Sequence, residues 1–269
     1  MTRSDSVLAF VHIEKCGGST LIGLLRRCYG LRHVDIIPGD RKSMIAVPSD
    51  VKFARRLVPN LRSIAGHSIR PSLLGAGDIP LLAYTILRDP SKRYVSDFQH
   101  HVDYKNFPND FGRWLEYEKR RNFQTKALAL GSNDTGTALE HLRKFALVGF
   151  LDEYQSFVES LSVLSGGEVP TQFSIANSAS ARGTAVNAAE ILDVYADDIR
   201  LANAYDWNLV EAARREFPVR RPGFQRMPAQ GGQVKDVLNR AFRNIVYKPS
   251  RGVVPFQYHS LPDYRRFEW

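Results

Sequence analysis

One short segment of the chain combines a positive charge, two glycines and two hydroxyl side chains: Lys15-Cys16-Gly17-Gly18-Ser19-Thr20. It follows an apolar strand-like run and precedes a helical pattern. Its backbone N–H groups should therefore lie at a helix N-terminus, where they and the helix dipole attract anions. The segment predicts a phosphate-binding loop, although a plain strand-to-helix turn with a capping hydroxyl has the same local pattern. Because Lys15 precedes the glycines, the segment is not the G-x-x-x-x-G-K-[ST] loop of ordinary ATPases and GTPases.

A second polar group follows another apolar run. Arg88 stands at the end of this run, in Leu87-Arg88-Asp89-Pro90, and Ser96 comes about two turns into the helix that we expect next. Open α/β sheets bind ligands outside the carboxyl ends of their parallel strands, and an Arg fork with a Ser hydroxyl suits a phosphate. The pattern predicts a second phosphate contact. The alternative is a structural Arg–Asp pair with Pro90 at the first helical position.

The apolar pattern predicts the elements that position these two segments. Strands are expected at residues 7–13, 63–66, 81–87 and 146–150. Helices are expected at about 19–30, 91–101, 114–130, 154–164 and 188–217, and an extended tail rich in Pro, Gly and Arg follows Pro218. Alternating strands and helices indicate an α/β fold with a central parallel sheet and helices on both faces.

The composition sets broader limits. The 269 residues carry a formal net charge of +9 with 43% hydrophobic and 24% charged residues, which excludes a disordered or collagen-like chain. No apolar run reaches the roughly 20 residues that cross a bilayer, and two cysteines fit a reducing compartment. The basic surplus favours an anionic ligand, and nucleic acid, a membrane surface, a phosphorylated cofactor or an acidic glycan would each satisfy it.

The two polar segments, taken in order, resemble those of carbohydrate sulfotransferases, the family that includes the heparan sulfate 2-O- and 6-O-sulfotransferases. His12–Leu21 is similar to the family's His-x-x-Lys-Thr-Gly-Gly-Thr-Ser loop, which binds the 5′-phosphosulfate of 3′-phosphoadenosine 5′-phosphosulfate (PAPS). Leu87–Ser96 is similar to the Leu-Arg-Asp-Pro-x-x-Arg-x-x-Ser element, which holds the 3′-phosphate. Weaker similarities are Asn122–Thr125, Val148–Phe150 and Asp206–Leu209. Two departures are Cys16 in place of Thr and the reversed order of Ser19-Thr20.

The resemblance implies a P-loop-like three-layer fold and a PAPS-dependent enzyme that leaves 3′-phosphoadenosine 5′-phosphate as product. It implies that Lys15 is catalytic, because its charge would stabilise the bridging oxygen of the departing nucleotide. It assigns cofactor binding to Lys15, Cys16, Gly17, Gly18, Ser19, Thr20, Arg88 and Ser96. No metal is expected to take part.

The resemblance also implies a catalytic base, because the glycan sulfotransferases place a histidine after the corresponding strand. His67, in Gly66-His67-Ser68, follows a short strand between the two phosphate motifs. An imidazole can accept a proton near neutral pH, so His67 is the candidate base and Glu14, beside Lys15, is the first alternative. His12 is expected to be a packed residue of the first strand.

These observations predict a sulfotransferase that moves a sulfuryl group from PAPS to an acceptor hydroxyl, on a glycan or glycoconjugate. Two alternatives remain at this point: a nucleotide-dependent kinase on the same kind of scaffold, and a polyanion- or nucleic-acid-binding protein without activity. We expect a sulfotransferase domain at residues 1–217, and an extension at 218–269 that packs on it. We also expect no nucleic-acid partner, no transmembrane segment and a cytoplasmic, bacterial enzyme.

Overall fold

A computed structural model describes residues 6–40, 42–173, 186–218 and 232–251. Its strands follow the apolar runs: Val7–Val11 (β1) is buried at every position and Leu81–Leu87 (β4) at five of seven, as expected for strands covered on both faces. The other strands are His33–Asp35 (β2), Ser63–Gly66 (β3) and Leu147–Phe150 (β5). All pairings are parallel and the order is β2-β3-β1-β4-β5.

Helices cover both faces of this sheet. The α-helices are Gly18–Tyr29 (α1), Pro48–Leu57 (α2), Pro90–Lys105 (α3), Phe111–Leu115 (α4), Phe123–Leu128 (α5), Thr135–Leu142 (α6), Tyr154–Leu164 (α7), Ala188–Val194 (α8), Ala196–Ala202 (α9), Ala204–Glu216 (α10), Gly232–Phe242 (α11) and Lys248–Ser250 (α12). Alternate residues of β1 contribute to different apolar cores. Val7, Ala9 and Val11 pack with α2, α5, α6 and α10, whereas Leu8 and Phe10 pack with α1 and α7. The three-layer α/β fold predicted from the sequence is confirmed.

The order of the strands explains where a ligand would lie. From β1 the chain runs to β2 on one side of the sheet, and from β4 it runs to β5 on the other. Because β1 and β4 are neighbours, their carboxyl ends flank the point where the connections diverge, and open α/β sheets bind ligands in the crevice at such a point. The Lys15 loop follows β1, and Arg88 follows β4.

Several predicted elements differ from the structure. The first strand ends at Val11 and so excludes His12 and Ile13, and α3 runs to Lys105 instead of ending near His101. The expected helix at 114–130 is two short helices joined by a 3₁₀ turn, and the one at 188–217 is three helices. Strand β2 and helices α2 and α6 were not expected.

The tail prediction is wrong for residues 232–250, which are helical. Apolar residues recur at helical spacing in this segment: Val234, Val237, Leu238 and Phe242. Helix α11 packs on α1. Asn239 of α11 donates hydrogen bonds to the carbonyl oxygens of Gly30 and His33, which follow α1. The remaining tail residues, 219–231 and 252–269, lie outside the described residues. The division into residues 1–217 and 218–269 stays a prediction.

Candidate active site

The glycine loop after β1 leads directly into α1, whose N-cap is Gly17 at φ 81°. Within the described chain, no side chain caps this helix, and the first N–H groups of an α-helix have no partner inside the helix. A Cβ added at Gly17 would lie 2.5 Å from Leu151 Cδ1. The substituted residue would also have to keep the positive φ of Gly17. Gly17 therefore forms a half-buried backbone turn at a helix N-terminus, a site that suits an anion.

Gly18 is required because an imidazole packs against it. A Cβ at this position would lie 1.8 Å from Nε2 of His12, far inside van der Waals contact. His12 is buried, as the sequence predicted, and burial is the largest cause that lowers its pKa well below the ordinary value. A neutral His12 ring thus lies directly under the first turn of α1.

Lys15 has a backbone conformation that is rare for a residue with a side chain. Its φ is 66°, in the left-handed region, where strain is common at functional sites. Its carbonyl oxygen accepts a hydrogen bond of 2.8 Å from Nη1 of Arg88. The structure therefore brings the two sequence motifs into direct contact, through the backbone of the loop lysine and the guanidinium of the strand-end arginine.

The other predicted cofactor residues differ in their exposure. Ser19 is exposed, Thr20 is buried in the first turn of α1, and Ser96 is half-buried on α3. The Cys16 thiol is buried and contacts the Glu14 carbonyl and the Gln124 side-chain oxygen. Burial raises the pKa of this thiol to about 12, so it stays protonated.

His67 follows β3 and is exposed beside the loop. Its Nδ1 lies 3.0 Å from the His12 carbonyl oxygen, and its ring stacks on the His12 ring with centroids 4.0 Å apart. A carbonyl can only accept a hydrogen bond, so Nδ1 carries the proton and Nε2 has the lone pair. This is the tautomer that a proton acceptor needs.

Glu14, the alternative candidate for the base, is held in an ion pair with Arg120. Its Oε2 accepts a hydrogen bond of 2.5 Å from Nη2 of Arg120. The Arg120 guanidinium also donates to both carboxylate oxygens of the buried Asp97. Burial alone would raise the pKa of Glu14, but the charge of Arg120 lowers it to about 2. A carboxylate this acidic is a weak base, so the geometry disfavours Glu14 as the proton acceptor.

Sequence reasoning missed three residues of this region. Arg120 joins the loop to α3 through Glu14 and Asp97. Gln124 contacts both motifs and is described below. His100 on α3 has a pKa lowered to about 4 by burial, the charge of Lys15 and that of His101. Only the weak similarity at Asn122–Thr125 pointed to any of them, because their partners lie far away in sequence.

A family model of sulfotransferases matches residues 1–188, which include β1 to β5 and all the residues of this site. The chain belongs to the sulfotransferase family, and it is an enzyme that transfers sulfuryl groups to an acceptor. A search of the curated proteins finds no match.

Within the described residues, 6–40, 42–173, 186–218 and 232–251, no cluster of three or more His, Cys, Asp or Glu side chains is arranged to hold a metal ion. Their helices also lack the combination of length and apolar character that crossing a bilayer requires.

Proposed function

We propose that this sulfotransferase uses PAPS as donor and sulfates a hydroxyl group of a carbohydrate acceptor. The observation that carries the proposal is the hydrogen bond between Arg88 and the Lys15 carbonyl, because it joins two groups suited to anions at neighbouring strand ends. One ligand with phosphate groups at two ends would satisfy both. PAPS has a phosphosulfate at its 5′ end and a phosphate at its 3′ end.

The residues present fit such a ligand. The backbone N–H groups at Gly17–Thr20 would hold the 5′ end, since no side chain of the described residues caps this helix and the glycines leave room for a close approach. Arg88 and Ser96 would hold the 3′-phosphate. When bound, PAPS supplies the sulfuryl group and a good leaving group. The Lys15 ammonium would neutralise charge that develops on the bridging oxygen.

His67 would accept the proton of the acceptor hydroxyl. The His12 carbonyl keeps the proton on Nδ1, so Nε2 is available to the acceptor, and the side chain is exposed to solvent. Removal of the proton increases the nucleophilicity of the hydroxyl oxygen as it attacks sulfur. The carbohydrate class of the acceptor is supported by the similarity of both motifs to those of glycan sulfotransferases, and a cytoplasmic location stays a prediction.

The proposal is tested by incubating the protein with PAPS labelled in its sulfuryl group and a panel of glycans, phenols and amines. We expect the label to appear on hydroxyl groups of glycans, with 3′-phosphoadenosine 5′-phosphate formed in equal amount. A parallel reaction with ATP labelled at the γ-phosphate and magnesium should leave every acceptor unlabelled. Labelling of phenols or amines alone would overturn the carbohydrate assignment, and transfer from ATP alone would indicate a kinase.

A further inference from the structure

Gln124, at the start of α5, contacts both phosphate motifs while it is fully buried. Its Oε1 accepts a hydrogen bond of 2.9 Å from the backbone N–H of Arg88 and a longer one of 3.5 Å from the Cys16 thiol. Its Nε2 donates to the Arg88 carbonyl oxygen at 2.9 Å. One amide group therefore satisfies both backbone polar groups of the strand-end arginine and also touches the glycine loop.

The backbone of Gln124 is itself held from the other side. The buried carboxylate of Asp206 in α10 accepts hydrogen bonds from the N–H groups of Gln124 and Thr125 and from the Thr125 hydroxyl, at 2.7–3.2 Å. One buried carboxyl group thus accepts three hydrogen bonds from two adjacent residues at the start of α5. The Gln124 side chain thus extends from a backbone that has little freedom to shift.

We propose that Gln124 is a positioning residue that fixes the separation between the glycine loop and Arg88, and so couples the 5′ and 3′ ends of the donor site. The inference rests on the proposed function, in which one nucleotide contacts both segments. A ligand that engages two sites at once needs them at the right distance, whereas a ligand that engages one site does not. Loss of Gln124 should therefore reduce the affinity for the bisphosphate nucleotide selectively.

The amide is the side-chain group that can meet these contacts. It offers an acceptor oxygen for two donors and an N–H for the Arg88 carbonyl. A carboxylate at this position would keep the acceptor and lose the donor, and an apolar side chain would lose both. The role does not require any contact between Gln124 and the ligand, and its buried side chain offers none.

The test compares three nucleotides on native protein and Gln124→Met by titration calorimetry: 3′-phosphoadenosine 5′-phosphate, adenosine 5′-phosphate and adenosine 3′-phosphate. We expect the bisphosphate to bind at least about tenfold more weakly, a coupling of about 1.4 kcal/mol. Each monophosphate should change by less than about threefold. Gln124→Glu serves as the second variant, judged by the same ratio, if Gln124→Met fails to give a cooperative unfolding transition.

Asn239→Leu is the matched control. Asn239 is another buried amide with two hydrogen bonds to backbone carbonyls, at Gly30 and His33, and these lie beyond the C-terminal end of α1, opposite the end that carries the glycine loop. Its loss should lower the unfolding temperature and leave the ratio of the three affinities unchanged.

Equal weakening of all three nucleotides in the Gln124 variants, or an unchanged bisphosphate affinity, overturns the coupling role. Native protein that binds none of the three nucleotides overturns the proposed function and this inference with it. Native binding of the bisphosphate without a selective loss in the variants overturns this inference alone.

Discussion

A single hydrogen bond supports the proposal that His67 is the base. The neighbouring carbonyl of His12 holds the proton on Nδ1, and the stacked ring of His12 limits rotation of the imidazole. Glu14 lies in the same region, but its pairing with Arg120 keeps it ionised and weakly basic. The sequence offers both His67 and Glu14 as candidate bases. Only their tertiary contacts show which of the two is better suited to accept a proton.

For His67→Ala we expect turnover to fall by roughly 10²–10⁴ with little change in the affinity for 3′-phosphoadenosine 5′-phosphate, because the imidazole would face the acceptor. The pH dependence of the rate should also differ between the native enzyme and the variant, because only the native enzyme has this imidazole to accept the proton. His141→Ala is the control, since the Nδ1 of His141 also bonds a backbone carbonyl, that of Leu128. A fully active His67→Ala enzyme with the native pH profile would remove His67 from the mechanism.

Lys15→Met tests the charge of the loop lysine while it keeps a Cβ and a similar chain length, so the cost of the positive φ is unchanged. Charge on the leaving oxygen is greater in the transition state than in the bound donor, so we expect kcat to fall by about 10²–10³ and donor affinity to change much less. Steady-state kinetics and calorimetry separate the two effects. Lys92→Met, an exposed change on α3, is the control. Weaker nucleotide binding at unchanged kcat would limit Lys15 to a ground-state contact.

At the scale of elements, one hydrogen-bonded pair joins a break in each of two segments that were wrongly predicted as continuous helices. Asn122 has φ 50°, a left-handed conformation that interrupts the helix expected at 114–130. Its N–H donates to the side chain of Asn203, which stands at the break between α9 and α10. Local apolar spacing predicts a continuous helix in both segments, and it has no information about a bond between residues 81 positions apart.

Helix α1 offers a direct comparison of two glycines. Gly18→Ala would place a methyl group against the His12 ring, so we expect it to destabilise the fold by about 1–3 kcal/mol and to reduce turnover by displacing the ring under His67. At Gly23 the nearest atom to an added Cβ is Arg27 Nη1, at 3.7 Å. Gly23→Ala should therefore stabilise the protein by roughly 0.5–1 kcal/mol. Chemical denaturation measures both, and a stable, active Gly18→Ala protein would contradict the packing argument.

At the scale of the whole molecule, long apolar runs were predictable and short polar elements were not. Strand β4 has the predicted bounds, and β1 differs only at its end. Strand β2 has three residues, of which His33 and Asp35 are polar, so no apolar pattern marks it. The loop motif and His67 came from local sequence and a family resemblance, whereas Gln124 and Arg120 act through partners that only the fold brings near.

The polar character of β2 has a structural role, because Asp35 joins the C-terminal helical segment to the sheet. Its buried carboxylate pairs with Arg26 of α1, with His33 at 3.3 Å and with Arg243, which follows α11, at 3.0 Å. Burial alone would raise the pKa of Asp35, but the hydrogen bond and charge of His33 and the charges of Arg243 and Arg26 hold it well below its ordinary range. A depressed pKa in the folded state means that ionised Asp35 stabilises the fold.

This stabilisation should be complete above the unfolded-state pKa of an aspartate, about 3.9, and should be lost as pH falls below it. At neutral pH, Asp35→Asn leaves the two arginines without their carboxylate, and we expect it to lower the free energy of unfolding by about 2–4 kcal/mol. The difference from native protein should shrink as the pH is lowered through 4. Asp152→Asn, which breaks an exposed pair with Arg214, should cost less than about 1 kcal/mol.

Amide hydrogen exchange should accelerate over residues 232–251 in Asp35→Asn. Unchanged exchange there would mean that Asp35 does not hold this segment.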